Sequence, residues 1–113
     1  MARYDCELTG DVDALVAHLD SEILRGSMSA TLEEQVEHRL GDARMIVRTY
    51  ERFSGFSGSR LSLTFAILVV GEQLGVSAVS TGGSRAVFFK MNTVGEGTFL
   101  AKATAALQSF APA

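Results

Sequence analysis

Between residues 29 and 39 the odd positions Ser29, Thr31, Glu33, Gln35, Glu37 and Arg39 are all polar, while apolar Met28, Ala30, Leu32, Val36 and Leu40 fall on even ones. Successive side chains of a strand point to opposite faces, so a period of two over this length predicts a half-buried β-strand. A helical reading competes, because Thr31 with Glu34 resembles a capping box and Leu32, Val36 and Leu40 make a thin helical stripe. The following segment decides for the strand. With Gly41-Asp42 taken as a two-residue Gly-X turn, residues 43 to 53 fold back as the second arm of a hairpin. Leu40 then faces Ala43, Val36 faces Val47 and Ala30 faces Phe53 on one side, and Gln35 faces Arg48 and Glu33 faces Tyr50 on the other. Glu33 and Glu37 become neighbours of Arg44, Arg48 and Arg52, a pairing that a helix does not produce. The first side is read as the inner one, with His38 opposite Met45 at the core edge, and the arginine side as a solvated ion-pair ladder.

The rest of the chain supplies the layers around this hairpin. Tyr4, Cys6 and Leu8 alternate with Arg3, Asp5 and Glu7 as a first strand. Val12, Leu15, Val16, Leu19 and Ile23 recur at helical spacing, with Thr9 as the expected cap and Arg25-Gly26 as the stop. Leu61, Leu63, Phe65, Ile67 and Val69 line one face of another strand, whose opposite face carries Ala66, Leu68 and Val70. A turn at 71 to 73 leads to a strand at 74 to 80, and residues 86 to 91 are read as a short optional last strand. Phe99, Leu100, Ala103, Ala106, Leu107 and Phe110 mark a closing helix, with Thr93 and Glu96 as its expected capping box. The order β-α-β-β-β-β-(β)-α predicts an α+β two-layer sandwich in a single domain, residues 1 to 113. In it an antiparallel sheet carries two helices packed on one face, and its other face is open. This element order resembles the TATA-box-binding-protein-like layout, which by itself confers no function.

Composition narrows the functional classes. A formal net charge of -3 leaves no cationic footprint for nucleic acid. The longest apolar run, 61 to 70, is too short to span a bilayer, and the opening MARYDCELTGD lacks an apolar signal region. With Cys6 alone, no internal disulfide can form, and the expected setting is the bacterial cytoplasm.

A closer resemblance lies in RTYERFSG, 48 to 55, and VSAVSTGGSRAVFFKMNTVGEGTFL, 76 to 100. These stretches resemble a family of small bacterial proteins of unknown function in which a GGS-x-x-x-FFK-x-N motif recurs. The resemblance covers nearly the whole chain. It implies no activity, and it implies the strand reading of 28 to 40 and a cytoplasmic setting.

No complete catalytic, metal or nucleotide motif is present, so no catalytic residue, cofactor or metal ligand is assigned. Cys6, His18 and His38 are too dispersed to make a nucleophile with its base or a metal site. The candidate contacts gather at 81 to 97: Gly82, Gly83, Ser84 and Arg85 as a turn whose amides suit an anion, then Phe88, Phe89 and Lys90, with Tyr50 and Arg52 from the hairpin. The structural account of the same residues is a tight turn followed by a helix cap. Two functions follow as expectations. The first is a non-enzymatic binding or assembly module that self-associates as a homo-oligomer through its open sheet face. The second is a protein, less plausibly an enzyme, that binds a small anionic ligand at the glycine-rich turn.

Overall fold

The computed structural model describes residues 2–25, 27, 29–53, 60–82 and 89–110, with backbone path alone for 89–98. Strand β1 (Ala2–Thr9) is followed by helix α1 (Val12–Leu24), strands β2 (Thr31–Leu40), β3 (Ala43–Phe53), β4 (Arg60–Val70) and β5 (Gln73–Gly82), and helix α2 (Phe89–Ser109). The five strands form one antiparallel sheet in the order β1-β5-β4-β3-β2. The α+β architecture is thus the one expected, without the optional strand: residues 89–91 open α2, and 86–88 lie outside the described residues. Thr93 and Glu96 consequently sit inside the helix rather than at its cap.

Gly41 and Gly71, at φ +57° and +62°, open the two-residue turns that join β2 to β3 and β4 to β5. Positive φ at the first turn position is what a Gly-X hairpin demands. Beyond Gly41 the register is the expected one, with Leu40 opposite Ala43, Val36 opposite Val47 and Gln35 opposite Arg48. It then slips. A bulge between Leu32 and Glu34 absorbs one residue, so Tyr50 faces Leu32 rather than Glu33. Ala30, expected opposite Phe53, lies outside β2, and Met28 lies outside the described residues. Glu33 instead accepts a hydrogen bond from the Thr31 hydroxyl. Polar side chains at both 31 and 33 hide such a slip from a pattern of alternation.

The two faces of the hairpin are the reverse of those expected. Cross-strand partners share a face, and β4 buries Leu61, Leu63, Phe65, Ile67 and Val69. Their β3 partners are Arg52, Tyr50, Arg48, Ile46 and Arg44. The arginine row therefore lies on the inner face, and Met45, Val47 and Phe53 point outward with His38. The parity of the β3–β4 pairing overrides the apolar count of the hairpin alone.

Both helices pack on the inner face. Asp11, not Thr9, caps α1, its carboxylate accepting from the Ala14 N–H at 3.0 Å. Val12, Leu15, Leu19 and Ile23 of α1 join Phe99, Ala103, Ala106 and Leu107 of α2 in one core with Ile46, Tyr50, Leu63, Phe65, Leu74, Val76 and Ala78 of the sheet. Tyr4, Cys6 and Leu8 of β1 pack against its margin.

Candidate functional site

Of the residues singled out at 81 to 97, Gly82 ends β5, and Phe89 and Lys90 open α2. Gly83, Ser84, Arg85 and Phe88 lie outside the described residues. The sheet places Arg52, Leu61 and Gly82 in one cross-strand row, so Arg52 and the start of the glycine-rich turn approach the same end of the molecule. The Arg52 guanidinium lies 4.3 Å from the centroid of the Phe99 ring, and burial lowers its pKa. One row on, buried Ser80 has a hydroxyl with no hydrogen-bond partner among the described residues.

Tyr50 belongs to a different group, built around an acid that sequence does not single out. Asp20 and Asp13 are seven residues apart on α1, which spans about 10 Å of helix axis. Arg44 and Arg48, four apart on β3, span about 13 Å. The spacings match closely enough for the acids of the helix to meet the arginines of the strand. Both Asp20 oxygens lie 2.7 Å from Nη2 of Arg48, whose Nε also donates to Asp20 at 3.1 Å. The Tyr50 hydroxyl donates to the same carboxylate at 2.5 Å, and Gln35 accepts from Nη1 of Arg48. Arg44 lies 2.9 Å from Glu37 and 3.8 Å from Asp13. Glu37 on Arg44 and Gln35 on Arg48 are the contacts that come from the expected cross-strand ladder; the Asp13 and Asp20 contacts come from α1.

Burial works against the Arg48 charge, but the hydrogen bonds to Asp20 and Tyr50 outweigh it and raise its pKa. The Tyr50 phenol is pushed well above its ordinary value, first by burial and then by the bond it donates to Asp20. A folded-state pKa above the unfolded one stabilises the fold below the unfolded pKa of about 10, and that contribution is lost as pH rises past it. Denaturant titrations at stepped alkaline pH should therefore show stability falling above about pH 10, more steeply in the wild type than in Tyr50→Phe. Equal slopes would contradict the assignment. These bonds tie Asp20 of α1 to Arg48 and Tyr50 of β3, so the cluster docks the helix on the sheet.

Cys6, His18 and His38 are not brought together. Cys6 packs on the inner face, where burial and then Asp5 raise its thiol pKa, which disfavours the thiolate. His18 Nε2 lies 2.9 Å from the Ala106 carbonyl oxygen and so donates to it, tying α1 to α2. His38 stands on the outer face beside Met45. Among the described residues, no three His, Cys, Asp or Glu side chains gather as metal ligands.

What remains is the outer sheet face. One cross-strand row there is Val36, Val47, Ala66, Ser77 and Asp5; the next is His38, Met45, Leu68, Gly75 and Glu7. A third is Leu40, Ala43, Val70, Gln73 and Thr9. The β2–β4 part of these rows is mostly apolar, and Leu40, Leu68 and Val70 are 81%, 53% and 51% exposed. Toward β1 the same rows turn polar. Gly75 has no side chain to fill its position, and a shallow trough of about 670 Å³ lies there, bordered by Met45, Ala66, Leu68 and Ser77.

A family model matches residues 1–111, nearly the entire chain. The chain belongs to DUF6054, a family of unknown function. No curated protein and no solved structure matches it significantly. Membership in DUF6054 brings no chemistry with it, so function has to be argued from the surface just described. The apolar side chains Ala66, Leu68 and Val70 are legible in the sequence, whereas Val36, Met45 and Val47 join them only through the β3–β4 parity. No helix among the described residues is long and apolar enough to cross a membrane.

Proposed function

We propose that this chain is a non-enzymatic assembly module of the bacterial cytoplasm that self-associates through the outer face of its sheet. The observation that carries the reading is the block of exposed apolar side chains on β2, β3 and β4, in which Leu40, Leu68 and Val70 are the most exposed of those strands' outer apolar residues beside the two hairpin turns. Contiguous exposed apolar surface of this kind marks interaction sites in soluble proteins. A second copy suits the face because the face carries both projections and a depression: Leu68 and Val70 stand out, while the trough over Gly75 recedes. A two-fold contact presents each to the other. The TATA-box-binding-protein-like element order adds no DNA partner, since the net charge is -3 and this face is apolar.

Sedimentation velocity over a rising concentration series tests the proposal. Wild-type protein should show reversible association at micromolar concentration. Leu68→Asp should weaken it about 100-fold, because burying a leucine is worth about 1.5 to 3 kcal/mol and each such change occurs twice in a two-fold contact. Leu68 is exposed, so the monomer should fold unchanged. A wild type that remains monomeric at high concentration would sink the reading. A small anionic ligand at 81 to 97 is the lesser reading, because Tyr50 already donates to Asp20 and the Arg52 guanidinium lies over the Phe99 ring.

A further inference from the structure

The two edges of the sheet differ in how they are finished. On β1 alternate residues pack against the core, but all ten residues of β2 are exposed and neither of its faces lies under a helix. Open edges invite pairing with another strand, and proteins blunt them with charged side chains, proline, bulges or covering elements. Strand β2 contains no proline, and its charged residues Glu33, Glu34, Glu37 and Arg39 include both signs, so a suitable register can match them. Its single irregularity, the bulge between Leu32 and Glu34, lies at one end and leaves 34 to 40 regular. The Gln35 N–H donates to the carboxylate of its own neighbour Glu34 at 3.1 Å, as an amide turned to the free edge does.

We propose that β2 pairs antiparallel with β2 of a second copy about a two-fold axis at Val36, joining two five-stranded sheets into one. Only an axis through a residue keeps each side chain on its own face, which restricts the registers to a few. An axis at Glu34 or Glu37 sets that glutamate against its own copy, and one at Gln35 sets Glu33 against Glu37. An axis at His38 engages only residues 36 to 40. At Val36 no like charges stand directly opposite each other. Glu34 faces His38 of the second copy, Gln35 faces Glu37, and Arg39 and Leu40 come against Glu33 and Leu32 beside the bulge. Gln35 and Glu37 exchange backbone hydrogen bonds across the axis, which releases the Glu34 carboxylate from the Gln35 amide for His38. Val36 meets its copy in the closely spaced, non-hydrogen-bonded type of pair. The pairing does not depend on the face contact proposed above, and it leaves the outer faces of both copies on the same side of the joined sheet.

Charge exchange and cross-linking test this register. Glu34→Lys should raise the edge-dimer Kd about tenfold or more, since it removes two symmetric carboxylate–imidazole contacts and sets a lysine against each His38. Glu34→Lys combined with His38→Glu should return it to near the wild-type value. In a Cys6→Ala background, Val36→Cys should form an intermolecular disulfide under mild oxidation, while Glu7→Cys on the opposite edge should not. An unchanged Kd in the Glu34 variants, or cross-linking no faster at 36 than at 7, overturns the proposal. If Leu68→Asp alone abolishes association and the Glu34 variants change nothing, the face contact stands and the edge pairing falls. A retained Val36→Cys cross-link with no effect of Leu68→Asp has the opposite meaning.

Discussion

Replacing Asp20 with alanine is expected to destabilise the fold by about 3 kcal/mol and lower Tm by about 10 to 20 °C. Arg48 is buried to within 7% of its surface, and Asp20 is the carboxylate that neutralises it. Alanine leaves a guanidinium on the inner face with only Gln35 and the Tyr50 hydroxyl, which is the costly half of a broken ion pair. The estimate sits at the low end for such losses because the Asp20 side chain is 36% exposed and water can enter behind it. An apolar substitute of similar volume avoids the stranded charge. The combination Asp20→Leu, Arg48→Met and Tyr50→Phe should therefore recover stability to within about 1 kcal/mol of the wild type. Thermal and urea unfolding of the single and triple variants check both statements. A single variant as stable as the wild type would show that the ion pair does not dock α1.

Phe65→Ala should cost about 4 kcal/mol, with the urea midpoint falling and the slope unchanged. Phe65 is fully buried in β4, the strand flanked by β3 and β5, and meets Tyr50 edge-on with ring centroids 5.9 Å apart. Rigid strands on both sides limit collapse into the vacated space, so the loss includes a cavity contribution beyond transfer of the ring. Phe65→Leu, which keeps most of the volume, should cost roughly a third as much. Equal losses for the two variants would mean that packing at this position is already loose.

Element order and the tight end of the hairpin are legible in the sequence because they rest on local signals: a glycine where a turn needs positive φ, and alternation on both sides of it. The inner face of β3 is not legible from the hairpin alone. Met45 and Val47 on one side are balanced by Ile46 and Tyr50 on the other, and arginine reads as solvent-facing unless its acid is in view. That acid, Asp20, comes from α1, 28 residues away in sequence. A signal for it exists in the spacing of Asp13 and Asp20 against Arg44 and Arg48, which only becomes a test once helix and strand are laid side by side. The slip at Glu33 is silent because Thr31 and Glu33 are both polar, so the alternation reads the same with or without it. At the candidate site Arg52 and Gly82 share one cross-strand row, whereas the bond from Tyr50 to Asp20 has no sign in a linear pattern, which cannot show a phenol hydrogen-bonded to a helix.

The strand order carries a consequence in time as well as in space. Strand β1 leaves the ribosome before every other strand of its sheet, yet its partner is β5, with Ala2 opposite Ser80 and Thr9 opposite Gln73. The hairpins β2–β3 and β4–β5 close over two-residue turns and can form as soon as each is made. The N-terminal strand must wait for more than half of the chain to follow it, and so must the Gly10 amide that bonds the Glu72 carbonyl. During synthesis the earliest strand of the sheet is therefore the last to find its place in it.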